Sequence, residues 1–267
     1  MSDNSKKVSR RIVLLAAGGI VVSTTAAAVI AEGSPGAKLT AAAPRPSRRA
    51  TPVVSPTETS RPRETARHRT AKTAEPMYYV DDGPKTVALT IDDGPSPVYT
   101  PQVLKLLDKY RITASFSMIG RNAATYPAIA REVARAGHLI VNHTWDHADL
   151  APMKAVAVRD EITRATEAIH QATGDVPRIF RAPYGAWSPT VLDYCASNGL
   201  TALDWSVDPR DWSMPGTAEI VDNIMANTRT GSIILEHDGG GNRAETVAAL
   251  KIVIPRLLDE GYRFRTP

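Results

Sequence analysis

The chain of 267 residues is long enough for one large domain or two small ones, and its formal net charge of +4 is unevenly spread. Of the 32 Lys and Arg, 13 fall in residues 1–76 against 5 of the 28 Asp and Glu, so the remainder is mildly acidic. This balance argues against a nucleic-acid-binding domain, which wants a basic, aromatic-studded face, and a single cysteine, Cys195, excludes an intrachain disulfide.

Residues 1–31 begin with Lys6, Lys7, Arg10 and Arg11 and continue with an uncharged run from Ile12 to Ala31. This is the pattern of a secretory signal or an N-terminal membrane anchor. The run is long for a signal, which favours an anchor, whereas the small residues around Ala31 would suit cleavage. Arg10-Arg11 also leaves room for a twin-arginine signal. Residues 32–76 turn to Pro, Ala, Thr, Ser and Arg without an apolar period, and read as a disordered, proline-stiffened linker. Its positive charge would serve solubility or draw it weakly to an anionic envelope surface.

From residue 77 apolar strands alternate with amphipathic helices. Thr86–Ile91 precedes Thr100–Tyr110, Ala114–Ile119 precedes Pro127–Ala136, and His138–Asn142 precedes Ala155–Ala172. The pattern continues with Ile179-Phe180 before Ser188–Asn198, Thr201–Trp205 before Ala218–Asn227, and Ser232–Leu235 before Ala244–Leu258. A last short strand falls near Tyr262–Arg265. About seven strands so connected predict an α/β fold, a distorted (β/α) barrel with parallel strands and surrounding helices. Cys195 sits in an apolar helical pattern and reads as a small buried hydrophobe.

In such barrels chemistry gathers on the loops after the strands, and five polar clusters fall there. Thr90-Ile91-Asp92-Asp93-Gly94-Pro95 ends the first strand. Neighbouring side chains of a strand point to opposite faces, so one carboxylate can bind a cation while the other handles protons; a plain turn is the alternative. His143-Thr144-Trp145-Asp146-His147 follows Asn142. If the segment turns helically its imidazoles share one face, and Asp93 would complete a His₂-carboxylate metal set with open positions; a surface histidine pair is the alternative. His138 reads as structural. Arg181 at a strand mouth makes either a surface ion pair or a clamp on a carboxylate base. Asp208-Pro209-Arg210-Asp211-Trp212 and Leu235-Glu236-His237-Asp238 end two further strands, and a histidine paired with a carboxylate can stay protonated as a general acid.

Together these stretches resemble, in order, the five motifs of the polysaccharide deacetylases with the NodB homology domain, carbohydrate esterase family 4. The resemblance covers about residues 80–267, and the catalytic domain is placed at 77–267. It implies Asp92 as catalytic base, with Asp93, His143 and His147 as ligands of a divalent metal, zinc foremost, with cobalt or another ion as alternatives. It implies that Arg181 orients Asp92 and that Asp211 or Asp208 supports His237 as the acid. The Tyr184 backbone N–H would help stabilise the oxyanion, Leu235 and Trp212 would line the acetyl pocket, and Pro183 of the Arg-Ala-Pro-Tyr motif joins the substrate-binding set. Ile91 replaces the family's usual aromatic, and Leu139 and Val141 depart from its pattern before His143; both changes concern packing.

The implied protein is a secreted or envelope-associated monomer that removes N-acetyl groups from an N-acetylglucosamine-containing polysaccharide, either peptidoglycan or a chitin-like oligosaccharide. Its only membrane contact would be the N-terminal segment, and no nucleic acid is expected. An O-acetyl esterase on a polymer such as xylan and a catalytically inactive glycan-binding domain are the competing readings.

Overall fold

The computed structural model describes residues 74–267. The expected signal or anchor and nearly all of the expected linker lie outside the described residues. The described chain starts slightly before residue 77, with Ala74 packed against the cluster of Leu150, Ile162 and Phe180.

Seven parallel strands form the sheet: β1 Thr86–Asp92, β2 Ser115–Met118, β3 Leu139–Asn142, β4 Ile179–Phe180, β5 Thr201–Ala202, β6 Ile233–His237 and β7 Arg263–Phe264. Their order is β5-β4-β3-β2-β1-β6, with β7 paired to the start of β1. The expected barrel is a curled half-barrel. Between β5 and β6 continuous pairing gives way to single bridges, Met77 to Leu203 and Val207 to Ile234. There the N–H groups of Ser206 and Val207 both donate to the Ile233 carbonyl.

The helices between strands are α1 Thr100–Tyr110, α2 Gly120–Thr125, α3 Pro127–Arg135, α4 Ala155–Thr173, α5 Pro189–Asn198, α6 Thr217–Asn227 and α7 Ala244–Asp259. Proline in the first turn starts α1, α3 and α5, where its missing N–H costs nothing. The Ser188 hydroxyl caps α5 by accepting the Val191 N–H. Helix α4 ends at Gly174, whose φ of 87° a larger residue would adopt only with strain.

Strands β1 and β2 are buried on both faces, as the centre of a helix-covered parallel sheet requires. On β1 the alternation is legible: Val87, Leu89 and Ile91 pack outward among the helices, while Ala88 packs inward with Val141, Ile179, Leu203 and Ile233. Ile91 therefore fills core space behind the acidic pair, and Val141 fills the barrel interior. Cys195 is fully buried in α5, and burial pushes its thiol up to about 12, where it is an inert apolar group. His138 is likewise structural: its Nδ1 accepts the Ala114 N–H at 3.3 Å, and burial lowers its pKa so that it stays neutral.

Candidate active site

Thr90 and Asp92 share the inward parity of β1 and so point into the barrel mouth. Arg181, fully buried just after β4, reaches both. One terminal nitrogen donates to Asp92 Oδ1 and to Thr90 Oγ1, each at 2.8 Å, and the other donates to the Asp204 carbonyl at 2.9 Å. A buried ion pair of this kind is costly to break from one side, about 3–5 kcal/mol, because the remaining charge is left without a partner.

At Asp93 the backbone leaves the strand with φ 72°, which turns the second carboxylate away from the first. Its Oδ1 lies 3.5 Å from His143 Nε2 and 3.2 Å from His147 Nε2. The helical turn expected for His143–His147 is absent. Thr144 and His147 adopt φ of 64° and 68°, and Asn142 Oδ1 accepts the Thr144 N–H while Thr144 Oγ1 accepts the His147 N–H. Asn142 is itself tied to α4 through the Ile162 carbonyl and the Thr166 hydroxyl. The imidazoles meet with ring centroids 4.9 Å apart because a side-chain-braced loop folds them together.

The donor set fits a divalent cation. Ligand atoms of Asp93, His143 and His147 all lie within 4.8 Å of one another. Asp93 Oδ1 is buried without a hydrogen-bond partner and faces two imidazole nitrogens, an arrangement a cation would complete. His143 Nδ1 lies 2.9 Å from the Arg181 carbonyl, which can only accept, so the proton sits on Nδ1 and the Nε2 lone pair faces Asp93. Burial lowers the pKa of His147 and keeps it neutral, while burial of Asp93 is outweighed by the surrounding histidines, which hold its carboxyl well below the usual range.

His237 ends β6 with the inward parity of Leu235. Its Nδ1 lies 2.7 Å from Asp211 Oδ1, and its own N–H donates to Asp211 Oδ2 at 2.9 Å. Thr246 also donates to Asp211 Oδ2, at 2.7 Å. Burial disfavours the imidazolium, but the hydrogen bond and charge of Asp211, helped by Asp93 and Asp92, raise His237 to about 9. The choice left open between two aspartates is thereby resolved by contact. Asp208 is not paired with His237; its carboxylate accepts the Arg210 N–H at 2.8 Å and forms part of the cavity wall. The turn after it, with Arg210 at φ 60°, carries Asp211 back beneath the histidine.

One cavity of about 340 Å³ is lined by Asp92, Asp93, His143, His147 and His237 together with Tyr184, Trp205, Asp208, Trp212 and Leu235. Pro183 is the exception among the expected substrate contacts. It is buried at the start of a 3-10 turn and sets the position of Tyr184 without reaching the cavity.

Residues 79–203 match the family model described as polysaccharide deacetylase. A chitooligosaccharide deacetylase of Sinorhizobium fredii is 44% identical over 195 residues, covering 69% of this chain and 91% of that protein. The chain belongs to the polysaccharide deacetylase family. A peptidoglycan-N-acetylglucosamine deacetylase of Bacillus cereus is 38% identical over 201 residues, 73% of this chain and 94% of that one. Among solved structures, the Bc1960 peptidoglycan N-acetylglucosamine deacetylase superposes with a TM-score of 0.69 at 34% identity, covering 71% of this chain and 89% of that chain.

Sequence reasoning about this deacetylase missed several residues that build the site. Trp205 was taken only as a strand end, yet it lines the cavity, and the Arg181 guanidinium lies 5.8 Å from its ring centroid. Asp238 is fully buried; its N–H donates to the Asp92 carbonyl, and Thr100 donates to its carboxylate while accepting the Ser96 N–H. That chain of bonds ties the loop after Asp93 to β6. Gly239 is required by close approach, since a Cβ there would overlap the Asp93 carbonyl oxygen. Period-two parity from Asp92 could have flagged Thr90; Asp238 stands in a polar cluster of the sequence, but nothing local marks it as buried against Thr100.

Proposed function

We propose that this chain is a metal-dependent hydrolase that removes N-acetyl groups from an N-acetylglucosamine-containing polysaccharide, either peptidoglycan or a chitin-like oligosaccharide. The observation that carries this reading is one cavity holding an arginine-clamped carboxylate, a carboxylate-clamped histidine and the Asp93–His143–His147 cluster. The names of the chitooligosaccharide and peptidoglycan deacetylases to which the chain is similar support the substrate class.

Asp92, held in place by the Arg181 guanidinium, takes a proton from the attacking water, whose oxygen adds to the acetyl carbonyl carbon. The Tyr184 backbone N–H donates to the developing oxyanion. His237 then gives its proton to the departing amine nitrogen as the C–N bond breaks, leaving acetate and a free amine. Asp211 keeps His237 protonated for this step, and buried Glu236, pushed well up by burial and by the charge of Asp211, stays neutral and does not compete for the proton. A divalent cation, zinc foremost, held by Asp93, His143 and His147 would supply Lewis-acid polarisation of the carbonyl and a more acidic water. Trp212, Trp205 and Leu235 supply the apolar wall for the sugar face and acetyl methyl. We place the protein in the cell envelope or outside it on the strength of the charged start and long apolar run in residues 1–31.

Acetate release from chitin oligomers, peptidoglycan and acetylated xylan tests the reading. Acetate with an equal yield of free amine is expected from one or both N-acetylated polymers. Release from xylan alone would make the protein an esterase, and release from none would make it a binding domain.

The pH profile isolates the acid. With His237 at about 9, activity should fall as pH rises through that value, because the acid loses its proton. Asp211→Asn removes the hydrogen bond and charge that raise the imidazole, so this alkaline limb should move toward or below the ordinary histidine value of about 6.5. The stability term has the same sign. The ion pair contributes fully below the unfolded pKa and is lost as pH climbs to the folded one, so Asp211→Asn should lose least stability at high pH.

A further inference from the structure

The two imidazoles of the metal cluster are held from behind by different kinds of group. His143 is fixed by a main-chain carbonyl. His147 instead has its Nδ1 3.0 Å from the hydroxyl of Tyr184, with the two rings edge-to-face at 4.6 Å between centroids. A phenol hydroxyl both donates and accepts, so it can serve either tautomer, whereas only the Nδ1–H tautomer leaves the Nε2 lone pair facing Asp93.

The backbone is arranged for this contact. Tyr184 takes φ 62° in the 3-10 turn Pro183–Gly185, a left-handed conformation that strains a bulky residue. The turn is closed by the Gly185 and Ala186 N–H groups, which donate to the Ala182 and Pro183 carbonyls. Tyr184 nonetheless stays 68% exposed, so burial of the ring does not offset that strain. Its specific contacts are the hydroxyl on His147 and the ring against the same imidazole.

We propose that Tyr184 is a positioning residue for the metal site, its hydroxyl accepting the His147 Nδ1 proton and thereby holding Nε2 toward the cation. The proposal rests on the reading of Asp93, His143 and His147 as the ligand set, and it is separate from the role of the Tyr184 main-chain N–H. Because Tyr184 also lines the cavity, a glycan packed on its ring touches the group that orients a ligand.

Tyr184→Phe in the full chain keeps the ring and removes only the hydroxyl. Zinc affinity is measured by competition with a chromophoric chelator, and the His147 Nδ1 proton is followed by NMR of the zinc-loaded protein. Partners of metal-bound histidines typically contribute about 10–100-fold in affinity, so the dissociation constant should rise about tenfold or more, with the Nδ1 proton lost to solvent exchange. Tyr184→Ala should weaken zinc at least as much. An affinity within twofold of wild type overturns the proposal, as does a weakened affinity with the Nδ1 proton unchanged. His147→Ala separates the two readings: if it leaves zinc binding intact the ligand set is wrong, whereas if it abolishes binding while Tyr184→Phe does not, only the role of Tyr184 fails.

Discussion

Asp92→Asn should lower the turnover number by about 10²–10⁴-fold while leaving bound metal unchanged, since a general base contributes about that much. The amide keeps the shape of the carboxylate and its hydrogen-bonding reach but cannot take the proton from water. The metal should be retained because Asp93 turns away at φ 72° to meet the histidines, and Asp92 Oδ2 comes only within 3.8 Å of His143 Nε2. The substitution also strips Arg181 of the carboxylate it pairs with at 2.8 Å. That buried guanidinium keeps Thr90 and the Asp204 carbonyl, but loss of up to about 3–5 kcal/mol of stability is expected. Activity and metal content should therefore be compared at a temperature where both proteins are folded. Turnover within a few-fold of wild type would remove Asp92 from the chemistry.

That Asp92 and Asp93 meet different partners was legible in the sequence, because strand alternation sends adjacent side chains apart and later clusters supply an arginine and two histidines. The structure adds how the separation is made. Parity directs Asp92 inward, and a left-handed residue, not continued strand, directs Asp93. The His143–His147 pairing was legible from spacing, but its conformation was not. A four-residue interval suggests a helical turn, while the hydroxyl and amide groups of Thr144 and Asn142 compete for the backbone and win.

The choice between Asp208 and Asp211 could not be read locally, since both follow one strand and only the 3-10 turn at Asp211–Ser213 decides which reaches His237. Helix α2 was missed for a related reason. Gly120–Thr125 has no apolar period of its own, and it forms where Gly120 sits so close to Ala165 of α4 that no side chain would fit. The open seam between β5 and β6 likewise depends on single tertiary hydrogen bonds that periodicity does not encode.

The second large effect concerns the metal. A Lewis acid contributes several kcal/mol of transition-state charge stabilisation, and each ~1.4 kcal/mol is a factor of ten, so chelator-stripped protein should lose activity on the order of 100-fold or more. His143→Ala removes the ligand whose tautomer is locked by the Arg181 carbonyl, and should bind metal poorly and stay inactive when metal is returned. The direct measurement is acetate release from an N-acetylglucosamine oligomer as zinc is added back to stripped protein in substoichiometric steps. Activity that rises linearly and saturates at one equivalent per chain in the wild type, with no recovery in His143→Ala, is the predicted result. Full activity in the stripped protein, or equal recovery in His143→Ala, would contradict a metal-dependent deacetylase built on Asp93, His143 and His147.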